Sequence, residues 1–151
     1  MFHLAIDPGA SGAYAIRYPS GFTEAYPYTC DSDFLEAMST LATRAAQEHH
    51  LVTCTIEQVG GYFGKAQPGS AMFNFGRNFG YTLGVCQALG FQINLVRPQA
   101  WQKLFPTKTK KNQNSAQHKR ELKDHAARLY PALKPTLKTA DALLILHYAT
   151  R

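Results

Sequence analysis

The chain has 151 residues, of which 45% are hydrophobic and 17% charged, with a net charge of +6. That length suits one domain with a single core over residues 1–151, and the composition excludes a disordered chain. No stretch approaches the roughly 18 apolar residues of a membrane helix, and the N-terminus lacks the charged and apolar regions of a signal peptide, so a cytoplasmic protein is expected.

Phe2–Asp7 reads as a buried strand that ends in an acid. Pro8-Gly9 and Ser11-Gly12 break it, and Pro8-Gly9 clears bulk beside Asp7, leaving room for a phosphate. Ala13–Tyr18 and Phe22–Tyr28 read as two more strands around the turn at Pro19-Ser20-Gly21, which suggests an antiparallel meander. Asp31, Ser32 and Asp33 offer N-caps for a helix over Phe34–His49, with Phe34, Leu35, Met38, Leu41 and Ala45 spaced for one buried face. Leu51–Glu57 is a strand of β-branched and apolar residues, again ending in an acid.

A glycine- and aromatic-containing loop, 60–69, leads to a helix over Ser70–Leu89 and a strand over Phe91–Val96. Pro98 suits the first turn of a short helix, Gln99–Phe105. A polar, lysine-rich loop over Pro106–Ser115 precedes a helix over Gln117–Tyr130, and prolines at 131 and 135 separate it from a last helix over Thr139–Thr150. The order is β-β-β-α-β-α-β-α-α-α, an α/β chain. Cys30, Cys54 and Cys86 are odd in number and set among apolar residues, which favours reduced core thiols over a disulfide framework.

Three acids stand at element ends. Asp7 and Glu57 close strands, and Asp141 lies in the first turn of A-D-A-L-L-I-L-H-Y-A, a helix apolar around most of its circumference. Such a helix is buried, and a carboxylate on it is costly unless paired, hydrogen-bonded or metal-bound. If the first and fourth strands are neighbours, Asp7 and Glu57 emerge at adjacent tips, and the last helix brings Asp141 across them. Converging carboxylates attract divalent cations, and two such ions can activate a water and stabilise a leaving oxygen in phosphodiester cleavage. The alternative gives each acid a separate duty: Asp7 in a turn, Glu57 beside a surface lysine, Asp141 favourably placed at a helix N-terminus. Three together in a basic protein favour the metal reading.

I-D-P-G at Ile6–Gly9, I-E-Q-V at Ile56–Val59, G-R-N-F-G at Gly76–Gly80 and A-D-A-L at Ala140–Leu143 resemble, in that order, RuvC-type Holliday junction resolvases. F-G-Y-T-L-G-V and V-R-P-Q-A-W also look like the chloroplast branch of those enzymes. The resemblance implies an RNase H-like fold: a mixed five-stranded sheet, three strands antiparallel and then parallel ones, flanked by helices. It also implies a homodimer, two Mg²⁺ or Mn²⁺ ions per site and paired nicking of four-way DNA junctions. Asp7, Glu57 and Asp141 match the family's catalytic, metal-binding acids. A further metal-binding Asp or His is expected a few positions before the last acid, where this chain has Lys138. A protonated lysine cannot ligate a metal. Lys138 therefore weakens one site, contacts a phosphate or supplies part of a cation's charge; His118 and Asp124 stay open as substitutes, and His147 suits the core or an interface. Hence the alternative function, a junction-binding protein with weak or no nuclease activity.

Gly76, Gly80 and Gly84 recur every fourth residue on one helix, each at a cost of roughly 1 kcal/mol against Ala. Close backbone approach explains such a stripe, either on the protein's own sheet or, as the resemblance implies, in a dimer interface with Phe75, Phe79 and Leu83. Just past Glu57, Tyr62, Phe63 and Lys65 suit a loop that meets unstacked bases, or one whose aromatics anchor it to the protein. Between Lys103 and Lys138 stand ten basic residues and two acids, a net of +8 that leaves the rest of the chain at −2. Charge alone does not choose between a solvated face and a polyanion strip. With a DNA partner, Lys108, Lys110, Lys111, Lys119, Arg120 and Lys123 meet phosphates, joined by Arg97 and Lys138. Trp101, the single tryptophan, suits packing rather than base contact. D-P-G-A-S-G also resembles the phosphate loop of actin-like kinases, but those proteins need two lobes.

Overall fold

In the computed structural model, residues 1–58, 60 and 68–151 are described. The strands are β1 (Phe2–Asp7), β2 (Ala13–Arg17), β3 (Thr23–Pro27), β4 (Val52–Glu57) and β5 (Gln92–Val96). They form one five-stranded sheet in the order β3-β2-β1-β4-β5. β1–β2 and β2–β3 pair antiparallel, β1–β4 and β4–β5 parallel. The antiparallel meander read from the turns and the mixed sheet implied by the resemblance are both observed. The tight turns at Gly12 and Gly21 allow only antiparallel return, whereas α1 (Asp31–Gln47) and α2 (Gly69–Ala88) are crossovers long enough for parallel strands.

Alternation along the strands sorts the core into two layers. Phe2, Leu4, Ile6, Val52, Cys54 and Ile56 face α1 and α2. Ala5, Ala13 and Ala15 face the other way, towards α3 (Pro98–Gln102), α4 (Ser115–Leu129) and α5 (Ala140–Ala149). Alanines on that face let α5 lie close to the sheet, and Ala142 through Leu146 are all buried. The all-round apolar pattern of α5 thus has its expected cause, a helix enclosed by sheet and neighbouring helices.

Several local expectations are corrected. α1 begins at Asp31, so Asp31 and Asp33 lie in its first turn and Cys30 is the N-cap. Acids there favour the positive end of the helix dipole without capping it. Leu35 is exposed, because the buried face follows Phe34, Met38, Leu41 and Ala45. Cys54 and Cys86 are buried as expected, but Cys30 is exposed. α3 ends at Gln102, three residues earlier than the pattern suggested, and the edge strand β5 is largely exposed.

Candidate active site

β1 and β4 run parallel with Ile6 beside Ile56, so Asp7 and Glu57 are the next residues on neighbouring strands, about 5 Å apart at the backbone. Both share strand parity with Ala5, which puts them on the face that packs against α5. Asp141, in the first turn of α5, meets them there. All three are half-buried.

Burial, then the charges of Asp141 and Glu57, push the Asp7 carboxyl well above its ordinary range. Burial, then Asp141, also raises Glu57, against a hydrogen bond from Trp101 that favours its ionised form. Burial raises Asp141. Lys119 and Lys111 pull all three the other way. Among the described residues no salt bridge reaches any of the three acids.

The turn behind Asp7 is tightly built. A Cβ on Gly12 would stand 2.0 Å from the Asp7 carbonyl oxygen, so only glycine fits. Gly9 has φ +128° and donates its N–H to Asn78 Oδ1 at 2.7 Å, a buried bond between α2 and the turn. The phosphate access expected beside Gly9 is not what its lack of a side chain serves. Gly9 is buried, and the Phe75 ring lies 3.4 Å from where its Cβ would be.

The lysine-rich loop is pinned to α4 by three side chains. Glu121 Oε2 accepts from the backbone N–H of Lys108 (2.6 Å) and of Thr109 (3.3 Å). His118 Nδ1 donates to the Thr109 carbonyl at 3.0 Å, and His125 Nε2 to that of Pro106 at 2.8 Å. His118 is buried, and its Nε2 has no hydrogen-bond partner among the described residues. This pinning holds the loop carrying Lys111 beside α4, which carries Lys119, and both charges act on the acids. The sequence reading treated these lysines as a strip along the chain and missed the side chains that shape it. Lys108, Lys110 and Arg120 are exposed, Lys123 half-exposed. Arg97 caps α3 at the same sheet end as the acids, exposed and without an ion pair among the described residues.

Lys138 takes a different place. It is exposed in the turn before α5 and lines a shallow concavity with Ala25, Pro27, Lys123, Lys134 and Thr136. The lysine charge felt by the acids comes from Lys111 and Lys119. Asp124 is exposed, and His147 packs its ring against Phe105 and Tyr130. Tyr62, Phe63 and Lys65 lie outside the described residues.

On α2, Gly76, Gly80 and Gly84 form an open stripe, with no described atom within 4 Å of an added Cβ. Close packing on the protein's own sheet is thereby corrected. The buried face of α2 is Asn78, Thr82 and Cys86, and Phe79 and Leu83 lean on the core beside it.

A divalent cation fits the acids in chemistry: burial raises the proton affinity of all three half-buried carboxylates, neighbouring acids raise it further at Asp7 and Glu57, and the counter-charge comes mainly from two exposed lysines, Lys111 and Lys119. As placed, no three His, Cys, Asp or Glu side chains among the described residues close into a metal cage. That donor set suits Mg²⁺, which keeps several waters and takes substrate phosphate oxygens alongside one or two carboxylates.

No protein-family model matches the chain, and no curated protein matches it in sequence. Solved structures do match in shape. Thermus thermophilus RuvC in complex with a Holliday junction substrate superposes with a TM-score of 0.58 at 11% identity, over 97% of this chain and 90% of that one. A second Thermus thermophilus RuvC structure gives 0.53 at 14% identity, over 97% and 91%. The fold is that of RuvC. Asp7 and Glu57 occupy the C-terminal ends of two neighbouring parallel strands, the edge at which open α/β sheets bind ligands.

Proposed function

We propose that this chain is a structure-selective endodeoxyribonuclease, a Holliday junction resolvase acting as a homodimer. The observation that carries this reading is the cluster of Asp7 and Glu57 at neighbouring strand ends with Asp141 at the start of α5, free of salt bridges among the described residues and rimmed by Lys111 and Lys119. The RuvC fold, seen elsewhere bound to a Holliday junction, agrees with it. Asp7, Glu57 and Asp141 hold Mg²⁺ or Mn²⁺, two ions per site. Bound there, the cations supply an activated water and charge for the leaving oxygen. The rigid strand ends fix two of the ligands. Lys111 and Lys119 hold the phosphate being cut, and Lys108, Lys110, Arg120, Lys123 and Arg97 position the junction arms. Tyr62 or Phe63 serves at the junction centre, Lys65 binds DNA beside it, and Lys138 meets an arm phosphate away from the metals. Two copies joined along the glycine stripe of α2 make two symmetric cuts.

The test is a four-way junction with separately labelled strands, incubated across a Mg²⁺ and Mn²⁺ titration. Paired nicks at symmetry-related positions, with linear duplex of the same sequence left intact, are the expected result. The second reading, a junction-binding protein with little cutting, is favoured by Lys138 at the position of an expected ligand. Tight binding with no nick in either metal decides for it.

The lysine rim gives a separate expectation. Removing both charges, Lys111→Ala with Lys119→Ala, weakens junction binding at low salt. It also lowers the slope of log affinity against log salt by about 1.8, at about 0.9 per phosphate contact on duplex arms. A slope unchanged within error in a filter-binding series assigns the phosphate contacts elsewhere.

A further inference from the structure

Trp101 is wholly buried, yet it carries a polar group that needs a partner. Indole Nε1–H can only donate, and an ionised carboxylate can only accept. The bond that satisfies it runs to Glu57 Oε2 at 2.7 Å. We propose that Trp101 is a positioning residue for metal binding: it ties down Oε2 of Glu57 and so presents the carboxylate to the cation in one orientation.

The scaffold supports this role. Val96 pairs with Glu57 across β4 and β5, and α3 starts two residues later with Pro98 at its first turn. The route from Glu57 to the indole is therefore short and stiff. Trp101 packs in the layer with Ala5, Val96, Leu122 and Leu143, and its ring centroid lies 6.2 Å from that of Phe105. Burial on all sides restricts the indole's rotamer freedom. Glu57, by contrast, has a flexible stem whose ordering costs free energy on metal binding. A donor that fixes the carboxylate beforehand removes part of that cost. Outer partners of this kind change metal affinity by about 10–100-fold when lost. Glu57 keeps Oε1, and any further lone pair of Oε2, for the ion and its waters.

This inference rests on the metal-dependent reading above, and the experiment separates the two. Trp101→Phe keeps an aromatic ring in the layer but removes the N–H together with part of the indole's volume. Calorimetric titration of the full-length protein with Mn²⁺ is expected to show about 10–100-fold weaker binding for the variant than for wild type. Cleavage in the variant should need correspondingly more metal and return near the wild-type rate at saturation. A purely packing role predicts a lower melting temperature with the metal affinity unchanged, and that result overturns the proposal while leaving the nuclease reading in place. Wild-type protein that binds no metal overturns both. Should the variant not fold, the wild type carries the test. Trp101 is the chain's only tryptophan. Its emission should change saturably with Mg²⁺, with a midpoint matching calorimetry, and a flat titration where calorimetry shows binding refutes the contact.

Discussion

Asp7→Asn is expected to lower Mg²⁺-dependent junction cleavage by about 10³-fold or more, and to raise the melting temperature of the metal-free protein at neutral pH. The first effect follows from losing a ligand charge at a site where the metal contributes several kcal/mol, since about 4 kcal/mol corresponds to a thousandfold in rate. The second follows from the direction of the shift at Asp7. Burial and two neighbouring carboxylates raise its folded-state proton affinity above the unfolded value. For such a group the unfolded chain ionises first as pH rises. Stability is thus full below the ordinary carboxylate range and is lost as pH climbs through the raised folded-state value.

Above the ordinary carboxylate range the metal-free wild type therefore bears a penalty that grows with pH, and an amide at position 7 removes its share. For a chain of this size each ~1 kcal/mol relieved is worth about 2–4 °C. Mg²⁺ should reverse the order. It stabilises whatever folded state binds it, so the wild type gains with metal concentration and Asp7→Asn does not. Melting curves at several pH values, with and without Mg²⁺, check both statements. A variant less stable than wild type in chelator would mean that Asp7 has a structural duty in its turn. Cleavage surviving the substitution would remove Asp7 from the chemistry. The activity and the strain have one source, in keeping with the general trade-off between site function and stability.

Residues whose meaning follows from periodicity could be read without coordinates. Alternation in Phe2–Asp7 and Val52–Glu57 places both terminal acids on one face, and the apolar circumference of α5 marks Asp141 as an acid on an enclosed helix. The turn glycines mark where the chain doubles back. What could not be read are contacts between residues far apart in sequence whose types are common. The Trp101–Glu57 bond spans 44 positions and the Gly9–Asn78 bond 69. Nothing local distinguishes an indole that only packs from one that also donates. The pinned lysine loop was hidden for a similar reason. Glu121 looks like one charge on a solvated helix until the backbone of Lys108 and Thr109 folds onto it. Lys138 is a further case: three residues before Asp141 in sequence, it lines a concavity with Ala25 and Pro27 of β3.

Gly80→Gln is the substitution expected to separate folding from function. No described atom lies within 4 Å of a Cβ at position 80, and the residue is exposed in the middle of α2, so the longer side chain costs the monomer no packing. Replacing an interior helical glycine with a good helix former should instead add about 0.5–1 kcal/mol. If two copies meet along the stripe of Gly76, Gly80 and Gly84, their backbones approach closely, and a glutamine side chain on each partner holds them apart. The variant should then sediment as a folded monomer at concentrations where the wild type is a dimer, with an equal or higher melting temperature. Its products on a four-way junction should shift from paired nicks towards slow single nicks, because each active site stays intact while the second is no longer held in register. A variant that remains dimeric moves the interface off this stripe. One that is monomeric yet still cuts in pairs breaks the link between the two-fold axis and the symmetry of the cuts.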